Sequence, residues 1–247
     1  MSTRPASTAT ARKRAAVRPP SEAGAEAREA RGARRKRETR DKLLDAAFRL
    51  MAERGMDAVA INEITEAADV GFGSFYNHFE SKEAIYGAVM QAVFEEFADA
   101  LDALVRNHDD PAEMIAICVR HTVLRARREP LWGRLLAREG FSTRVLSHGL
   151  GLRLLRDIQN GIGRGRFKVP DPLMSFVAAG STVLGAVVAQ ADVEAGADPL
   201  LKQLGVDIDS LPGRAAAVLL HGLGLPFEEA QAIASRPLPE VEAPAAG

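Results

Sequence analysis

The stretch that decides the fold is DVGFGSFYNHFESK, residues 69–82. Helical spacing places Val70, Phe75 and Phe79 on one side, where they can pack against the apolar helix that precedes them. Together with the helical pattern of residues 61–68, the stretch predicts a helix-turn-helix whose second helix can enter a major groove. The side chains left facing outward are Phe72, Gly73, Ser74, Tyr76, Asn77 and His78.

The outward side chains suit a DNA duplex. Asn77 can pair bidentately with adenine, an aromatic or small residue can meet a thymine methyl group, and hydroxyl or imidazole groups can bond to phosphates. Gly73 permits a close backbone approach. The alternative is that Phe72 and Tyr76 simply cover the domain surface, and helical spacing does not distinguish the two interpretations.

The rest of the chain also has helical periodicity and contains no convincing strand, so the fold class is all-α. The first helix is expected to become ordered near Thr39 and to end at Gly55, and Ser81 is a good N-cap for a later helix. The sequence predicts a three-helix N-terminal domain followed by a larger helical bundle. The expected segments are a disordered basic arm, the helix-turn-helix domain, the helical body and a frayed tail, at residues 1–37, 38–83, 84–235 and 236–247.

The charge is divided unevenly along the chain. Residues 1–40 contain 12 Lys and Arg against four Asp and Glu, whereas the remainder contains 20 against 29. The second helix of the motif has no Lys or Arg, so phosphate neutralisation must come from elsewhere. We expect it from the basic run just before the first helix, although a solvated tail is the alternative. The run comprises Arg34, Arg35, Lys36 and Arg37.

Other kinds of site find little support in the sequence. The single cysteine excludes an intrachain disulfide, and Cys118 with His121 supplies too few ligands for a metal site. No nucleophile or acid–base cluster indicates an enzyme, and no cofactor is expected. Residues 172–191 carry no charge, but their small and weakly polar side chains favour a helix packed on protein over a membrane span. We therefore expect a cytoplasmic protein.

Residues 67–89, AADVGFGSFYNHFESKEAIYGAV, resemble the DNA-binding signature of the tetracycline-repressor (TetR) family of bacterial regulators. Many matches at fixed spacing carry the resemblance. They are Val70, Gly73, Ser74, Phe75, Tyr76, His78, Phe79, Ser81, Lys82 and Glu83. Two departures are the turn, with Asp69 and Gly71, and the start of the second helix, where Asn62 is the only polar substitute for a threonine that usually touches a phosphate.

The resemblance implies a homodimer whose first three helices bind a palindromic operator and whose body holds a pocket for a small-molecule effector. It also implies phosphate contacts from Tyr76, His78 and Lys82. Base-edge contacts would come from Phe72, Gly73, Ser74 and Asn77, and the dimer interface from residues 173–191 and 213–224.

For the effector pocket we expect large apolar side chains with an occasional polar group. The candidates are Phe94, Phe97, His121, Trp132, Phe141 and Phe176, each of which could instead be plain core. The expected function is a ligand-responsive, DNA-binding transcriptional regulator, with a repressor favoured over an activator. The alternative from another class is a helical small-molecule carrier or enzyme with a helix-turn-helix-like fold.

Overall fold

The computed structural model of the chain describes residues 22–140, 142, 149–196, 203–204 and 207–240. All regular structure in these residues is helical, which confirms the all-α prediction. The N-terminal helices are α1 (Glu22–Arg54), α2 (Ile61–Ala67) and α3 (Phe72–Phe75). Helix α4 runs through Lys82–Met90, a π-helical turn at Gln91–Glu95, and Glu96–Val105. The later helices are α5 (Pro111–Arg128), α6 (Pro130–Glu139), α7 (Gly149–Gly163), α8 (Pro172–Glu194), α9 (Leu211–Gly222) and α10 (Phe227–Ala234).

Helix α1 begins earlier than the sequence analysis expects. Residues 22–37, assigned there to a disordered arm, are helical. They are rich in Ala, Arg, Lys and Glu, which have high intrinsic helix propensity even without an apolar face. The chain divides into a unit that ends at Asp41 and a second unit from Lys42 onward. Side chains 30–38 are all exposed, so local propensity rather than core packing accounts for this part of the helix.

The second unit begins with the apolar half of α1. Leu43, Ala47 and Met51 are completely buried, as the three- and four-residue spacing predicts. The helix ends at Gly55, which takes a φ of +81° and donates its N–H to the Met51 carbonyl at 2.8 Å. Glycine adopts this left-handed conformation without steric cost, so the predicted end of the helix is confirmed.

The turn of the helix-turn-helix is a hydrogen-bonded C-cap. Val70 N–H donates to the Thr65 carbonyl at 3.0 Å and Asp69 N–H donates to the Glu66 carbonyl at 3.1 Å, the pairing of a Schellman motif. Asp69 has a φ of +53°, a left-handed conformation that favours glycine. The aspartate that departs from the family pattern therefore occupies the position where the backbone most needs glycine.

Helix α3 ends at Phe75, earlier than the helical spacing of Val70, Phe75 and Phe79 predicts. After Phe75 the backbone closes with tighter turns, in which His78 N–H bonds to the Phe75 carbonyl at 2.9 Å and Asn77 N–H bonds to the Ser74 carbonyl at 3.2 Å. Such three-residue spacing is common at helix ends. Ser81 caps the next helix as predicted, because its hydroxyl accepts a hydrogen bond from Ala84 N–H at 3.2 Å.

Helix α5 is the centre of the body and contacts α4, α6, α7, α8, α9 and α10. The start of the expected frayed tail also packs on it: Arg120 donates to the Arg236 carbonyl at 2.6 Å, and His121 Nε2 lies 2.9 Å from the Pro239 carbonyl oxygen. Residues 236–240 are therefore tied to α5, because two of their carbonyl groups find partners there. The remaining tail, residues 241–247, lies outside the described residues.

Helix α8 is the described helix that is long and apolar enough to cross a membrane by length and composition. It packs on α5, α6, α7 and α9 and buries Phe176, Leu184 and Val187 against them. Leu173, Met174 and Val188 are exposed. One face of α8 thus belongs to the core of the bundle, and the other leaves large apolar side chains uncovered.

We predict that Asp69→Val lowers the free energy of unfolding by about 1–2 kcal/mol, because a β-branched side chain clashes in the left-handed conformation. Asp69→Gly is expected to leave stability unchanged or to raise it. Urea unfolding followed by circular dichroism measures both. Asp57→Val is the matched control at an exposed position of the same domain. Equal losses for Asp57→Val and Asp69→Val would contradict the backbone explanation.

Candidate nucleic-acid interface and ligand cavity

The outer face of α3 exposes two aromatic rings. Phe72 and Tyr76 are 53% and 52% exposed, and Gly73 and Asn77 are also exposed. The Tyr76 ring makes edge contacts with Phe72 and with Phe75, at centroid distances of 5.7 and 5.4 Å. These contacts restrict the orientation of Tyr76, so its hydroxyl is presented to solvent at a defined position.

The inner face of the same segment fixes it to the protein. Phe75 is completely buried and Phe79 is 5% exposed, and both belong to the core cluster that includes Met51 and Ile64. Val70 is half-buried against that cluster. The predicted division into an inward and an outward face is therefore present.

The remaining predicted contact residues are less open. Ser74 and His78 are half-buried. Lys82 turns its ammonium group to the loop after α1, where it donates to the Met56 and Asp57 carbonyls at 3.2 and 3.4 Å. Because an ammonium group has three hydrogens, a phosphate contact by Lys82 would have to share the group with this loop.

The start of α2 is capped by a residue other than Asn62. Asn62 is exposed, and the cap is instead supplied by Glu63, whose carboxylate accepts from Ala60 N–H and from Arg54, each at 2.8 Å. The backbone bond and then the arginine hold the pKa of Glu63 below its usual value. A glutamate three residues after the N-cap is the sequence signal for this role.

The basic run of the arm is fully accessible. Arg34, Arg35, Lys36 and Arg37 are exposed, and Arg34 makes an ion pair with Glu38 at 3.1 Å. Exposed pairs of this kind contribute at most about 1 kcal/mol. The guanidinium of Arg34 can therefore exchange Glu38 for another anion at little cost.

A cavity of about 120 Å³ lies in the body among α4 to α8. Its walls are mostly apolar, with Leu101, Ile115, Leu136 and Leu184 among the lining side chains. A few polar groups interrupt the apolar wall, as is usual in ligand sites. They belong to Asp102, Cys118, Thr122, Arg153 and Asp157.

One of the six predicted effector residues, Phe176, lines this cavity. Phe94 and Phe97 instead pack edge-on against Trp132 at 5.6 and 5.3 Å, and the Trp132 indole donates to the Val93 carbonyl in the π-helical turn at 3.1 Å. These three rings are therefore part of the packed core. The indole also supplies a hydrogen-bond partner for a carbonyl group of the irregular turn.

His121 is buried against the Pro239 carbonyl, and burial lowers the pKa of its imidazole. Phe141 lies outside the described residues. Cys118 does line the cavity, and burial raises the pKa of its thiol to about 12. Within the described part of the chain, no three His, Cys, Asp or Glu side chains are placed to hold a metal ion.

Two arginines of α7 and several carboxylates form an ionic network at one side of the cavity. Arg153 pairs with Glu95 at 2.8 Å, with Asp102 at 2.9 Å and with Asp99. Arg156 pairs with Asp102 at 2.7 Å and with Asp157 at 2.8 Å.

The two carboxyl groups of this network that line the cavity differ in the direction of their pKa shifts. Burial alone would raise the pKa of Asp102, but hydrogen bonds from Arg156 and Arg153 outweigh it and hold the pKa below its usual value. Burial raises the pKa of Asp157. This network leaves no signal in the sequence, because Asp102 and Arg153 are far apart along the chain and each has the pattern of a solvated helix surface.

Helix α6 connects the cavity to the helix-turn-helix head, residues 38–83. Leu136 and Gly140, at its C-terminal end, line the cavity. Between them, Arg138 donates to the Glu53 carbonyl at the end of α1 at 3.1 Å, and Glu139 accepts from the buried Tyr86 hydroxyl in α4 at 2.6 Å. A shift of α6 at the cavity would therefore alter its hydrogen bonds to both α1 and α4.

Two family descriptions match the chain. The N-terminal model of bacterial regulatory proteins of the tetR family matches residues 43–89, and a tetracyclin repressor-like C-terminal domain matches residues 110–236. The chain belongs to the TetR family. Membership identifies a regulatory protein of helix-turn-helix type rather than an enzyme, and it confirms the resemblance of residues 67–89.

Among curated TetR-family relatives, the chain is 39% identical over 72 residues to the transcriptional repressor DhaR of Mycobacterium sp. strain GP1. It is 35% identical over 71 residues to IcaR of Staphylococcus epidermidis, a negative regulator of a biofilm operon. Each match covers 29% of this chain, and 36% and 37% of the respective relatives. The curated similarity is thus confined to about a third of those proteins.

Similarity to a solved structure extends further. The structure of RolR in complex with resorcinol is 35% identical, with a TM-score of 0.60, and the match covers 85% of this chain and 99% of that one. A structure of RolR without ligand matches with a TM-score of 0.58. The likeness therefore includes the helical body as well as the DNA-binding head.

Proposed function

We propose that this TetR-family chain is a cytoplasmic, ligand-responsive repressor that binds a palindromic operator as a homodimer and is released by a small-molecule effector. The observation that carries the proposal is the outer face of α3, where Tyr76 and Asn77 are exposed while Phe75 beside them is completely buried. Large exposed aromatic side chains on a rigidly anchored segment are typical of an interaction surface. Their chemistry fits base edges and phosphates.

Within that proposal, Phe72, Gly73, Ser74 and Asn77 lie nearest the base edges, and Tyr76, His78 and Lys82 contact phosphates. Asn62 is a further phosphate contact from α2. The relatives DhaR and IcaR are named as a repressor and a negative regulator, which favours repression over activation. The segments that we assign to the arm, head, body and tail are residues 1–37, 38–83, 84–235 and 236–247.

The dimer is supported by an uncovered apolar surface on two neighbouring helices. Leu173, Met174 and Val188 of α8 and Val218 of α9 are exposed, although α8 and α9 pack on each other. A second copy of the chain would remove these side chains from water. Two heads are also what a palindromic operator requires, because each half-site takes one recognition helix.

Release by an effector is supported by α6. A ligand in the cavity meets Leu136 and Gly140, and the same helix bonds to Glu53 in the head and to Tyr86 in α4, the helix that follows the head. A ligand shifts such an equilibrium only through its different affinity for the two states. A dimer with its heads wrongly spaced for successive major grooves, about 34–36 Å apart, would then leave the operator. RolR is the relative whose structure contains a small phenol, resorcinol.

We predict that Asn77→Ala weakens binding to the operator by about 1–3 kcal/mol and leaves binding to unrelated duplex unchanged, because an amide hydrogen bond to one base is removed. The operator would be selected from random duplexes with the unaltered chain, and affinities measured by fluorescence anisotropy. Asn107→Ala is the matched control at an exposed site after α4. A uniform loss on every duplex, or no loss, would reject the assignment of α3 as the reading element.

We predict that neutralising the arm reduces the salt dependence of operator binding. With Arg34, Arg35, Lys36 and Arg37 replaced by glutamine, the negative slope of log affinity against log salt should become less steep. The expected change is about 0.9 for every phosphate that the arm no longer neutralises. The matched control replaces the three arginines by lysine and preserves the charge. An unchanged slope in the glutamine variant would exclude the arm from the complex.

We predict that Tyr86→Phe reduces the effect of ligand on operator affinity, because the bond that joins α4 to Glu139 is removed. The measurement is the ratio of operator dissociation constants with and without saturating resorcinol, and coupling of this kind is typically about 1–3 kcal/mol. Tyr76→Phe, at the only other tyrosine of the chain, is the control. It should weaken both affinities and preserve their ratio. A ratio unchanged by Tyr86→Phe would contradict transmission through this hydrogen bond.

A further inference from the structure

We propose that the cavity binds a neutral, single-ring compound that donates hydrogen bonds from hydroxyl groups, and that it excludes carboxylates of the same size. The proposal rests on the proposed function and specifies the chemistry of its effector. The observation that carries the proposal is how the charged groups in and beside the cavity are paired. The carboxylate of Asp157 retains an acceptor oxygen, whereas the guanidinium groups of Arg153 and Arg156 already have hydrogen-bond partners.

The size of the cavity suits a ligand of one ring. Its volume is about 120 Å³. A comparable engineered cavity of about 150 Å³ takes up a benzene molecule. A six-membered ring with small substituents therefore fits among Leu101, Ile115 and Leu136.

Asp157 supplies the acceptor. Its side chain lines the cavity and is 7% exposed, and both of its contacts with Arg156 go to Oδ1, at 2.9 and 2.8 Å. Among the described residues, Oδ2 has no hydrogen-bond partner. A carboxylate oxygen that faces the cavity without a protein partner can accept a hydrogen bond from a ligand hydroxyl.

A second acceptor lies on α5. The Thr122 hydroxyl donates its hydrogen to the Cys118 carbonyl at 2.8 Å, so its oxygen is left to accept. Both Thr122 and Asp157 line the cavity. Asp157 and Thr122 thus both offer acceptors to the cavity, and they call for donors on the ligand.

The two guanidinium groups that could attract a ligand carboxylate already have hydrogen-bond partners. Arg153 directs N–H groups to Asp102 Oδ2 at 2.9 Å, to Glu95 Oε2 at 2.8 Å, to the Gly149 carbonyl at 3.2 Å and to Asp99. A guanidinium has five N–H hydrogens, so four of those on Arg153 are used. Arg156 directs its hydrogens to Asp102 and Asp157.

The local charge also opposes an anion. The two guanidinium groups face four carboxyl groups, those of Glu95, Asp99, Asp102 and Asp157. A ligand carboxylate would enter a low-dielectric site with excess negative charge and no free cation, and it would lose its hydration. A phenolic hydroxyl carries no such cost.

Isothermal titration of the full chain, without DNA, tests the proposal with four ligands of matched size: resorcinol, m-xylene, benzoate and benzylamine. We expect one resorcinol per chain with a dissociation constant below about 1 mM. m-Xylene, which lacks the hydroxyls, and benzoate should bind at least about tenfold more weakly. Equal binding of m-xylene would overturn the role of the hydroxyls. Tighter binding of benzoate or benzylamine would overturn the neutral class.

Asp157→Asn tests the acceptor directly. Asparagine can still accept from Arg156 but turns a donor toward the ligand, so resorcinol binding should weaken at least about tenfold. Asp109→Asn, at an exposed site outside the cavity, should bind resorcinol like the unaltered chain. Unchanged binding by Asp157→Asn would overturn the proposal. If circular dichroism shows that this variant is unfolded, the comparison of resorcinol with m-xylene on the unaltered chain decides the question.

These outcomes are separable from failure of the proposed function. The titrations contain no DNA, and operator binding is measured on the same preparation without ligand. A chain that selects an operator but binds none of the four ligands remains a DNA-binding regulator and refutes the ligand class alone. A chain that binds resorcinol but selects no operator retains the ligand site and loses the repressor function.

Discussion

The proposed DNA-binding face depends on the burial of Phe75 directly beside the exposed Tyr76. A helix of four residues has no stability of its own, because nucleation costs more than so few hydrogen bonds return. Packing of Phe75 and Phe79 on the core formed with α1 and α2 supplies that stability instead. Loss of a buried phenylalanine typically costs about 3–5 kcal/mol, a large part of the stability of a whole domain. The two inward rings therefore determine where Tyr76 and Asn77 can be.

The body is tied to the head through the side chains of one helix that has two different faces. Leu136 and Gly140 of α6 face the cavity, whereas Arg138 and Glu139 bond to α1 and α4. The π-helical turn of α4 adds a second connection, because Trp132 of α6 donates to Val93 and Glu95 accepts from Arg153 beside the cavity. Packed elements of this kind move between discrete arrangements rather than bending continuously, which is the property that a ligand-controlled switch needs.

The amino-acid sequence is sufficient to predict the head and insufficient to predict the cavity, for a physical reason. Val70, Phe75 and Phe79 are neighbours on one short segment, so their common face follows from helical spacing alone. The cavity joins Asp102 to Arg153 across two helices, and nothing in local spacing indicates which charged residues of the body will meet. Phe94, Phe97 and Trp132 are residue types that often line ligand pockets, but here Phe94 and Phe97 pack against Trp132 instead. The early start of α1 could not be predicted from the spacing of apolar residues, because a helix formed by propensity alone has no apolar face.

In the proposed function, the head and the arm make different contributions to DNA binding. Residues 72–79 contain no Lys or Arg, and the segment 41–82 contains four basic residues against eight acidic ones. Such a head would gain little from attraction to phosphates, so its proposed contribution consists of short-range contacts that depend on base identity and hardly on salt. The exposed arginines and lysine of the arm would supply the electrostatic part of the binding free energy, which is large at low salt and independent of the DNA sequence. Because the two terms lie on different segments, changes in the arm would alter overall affinity while the choice among operators stays with α3.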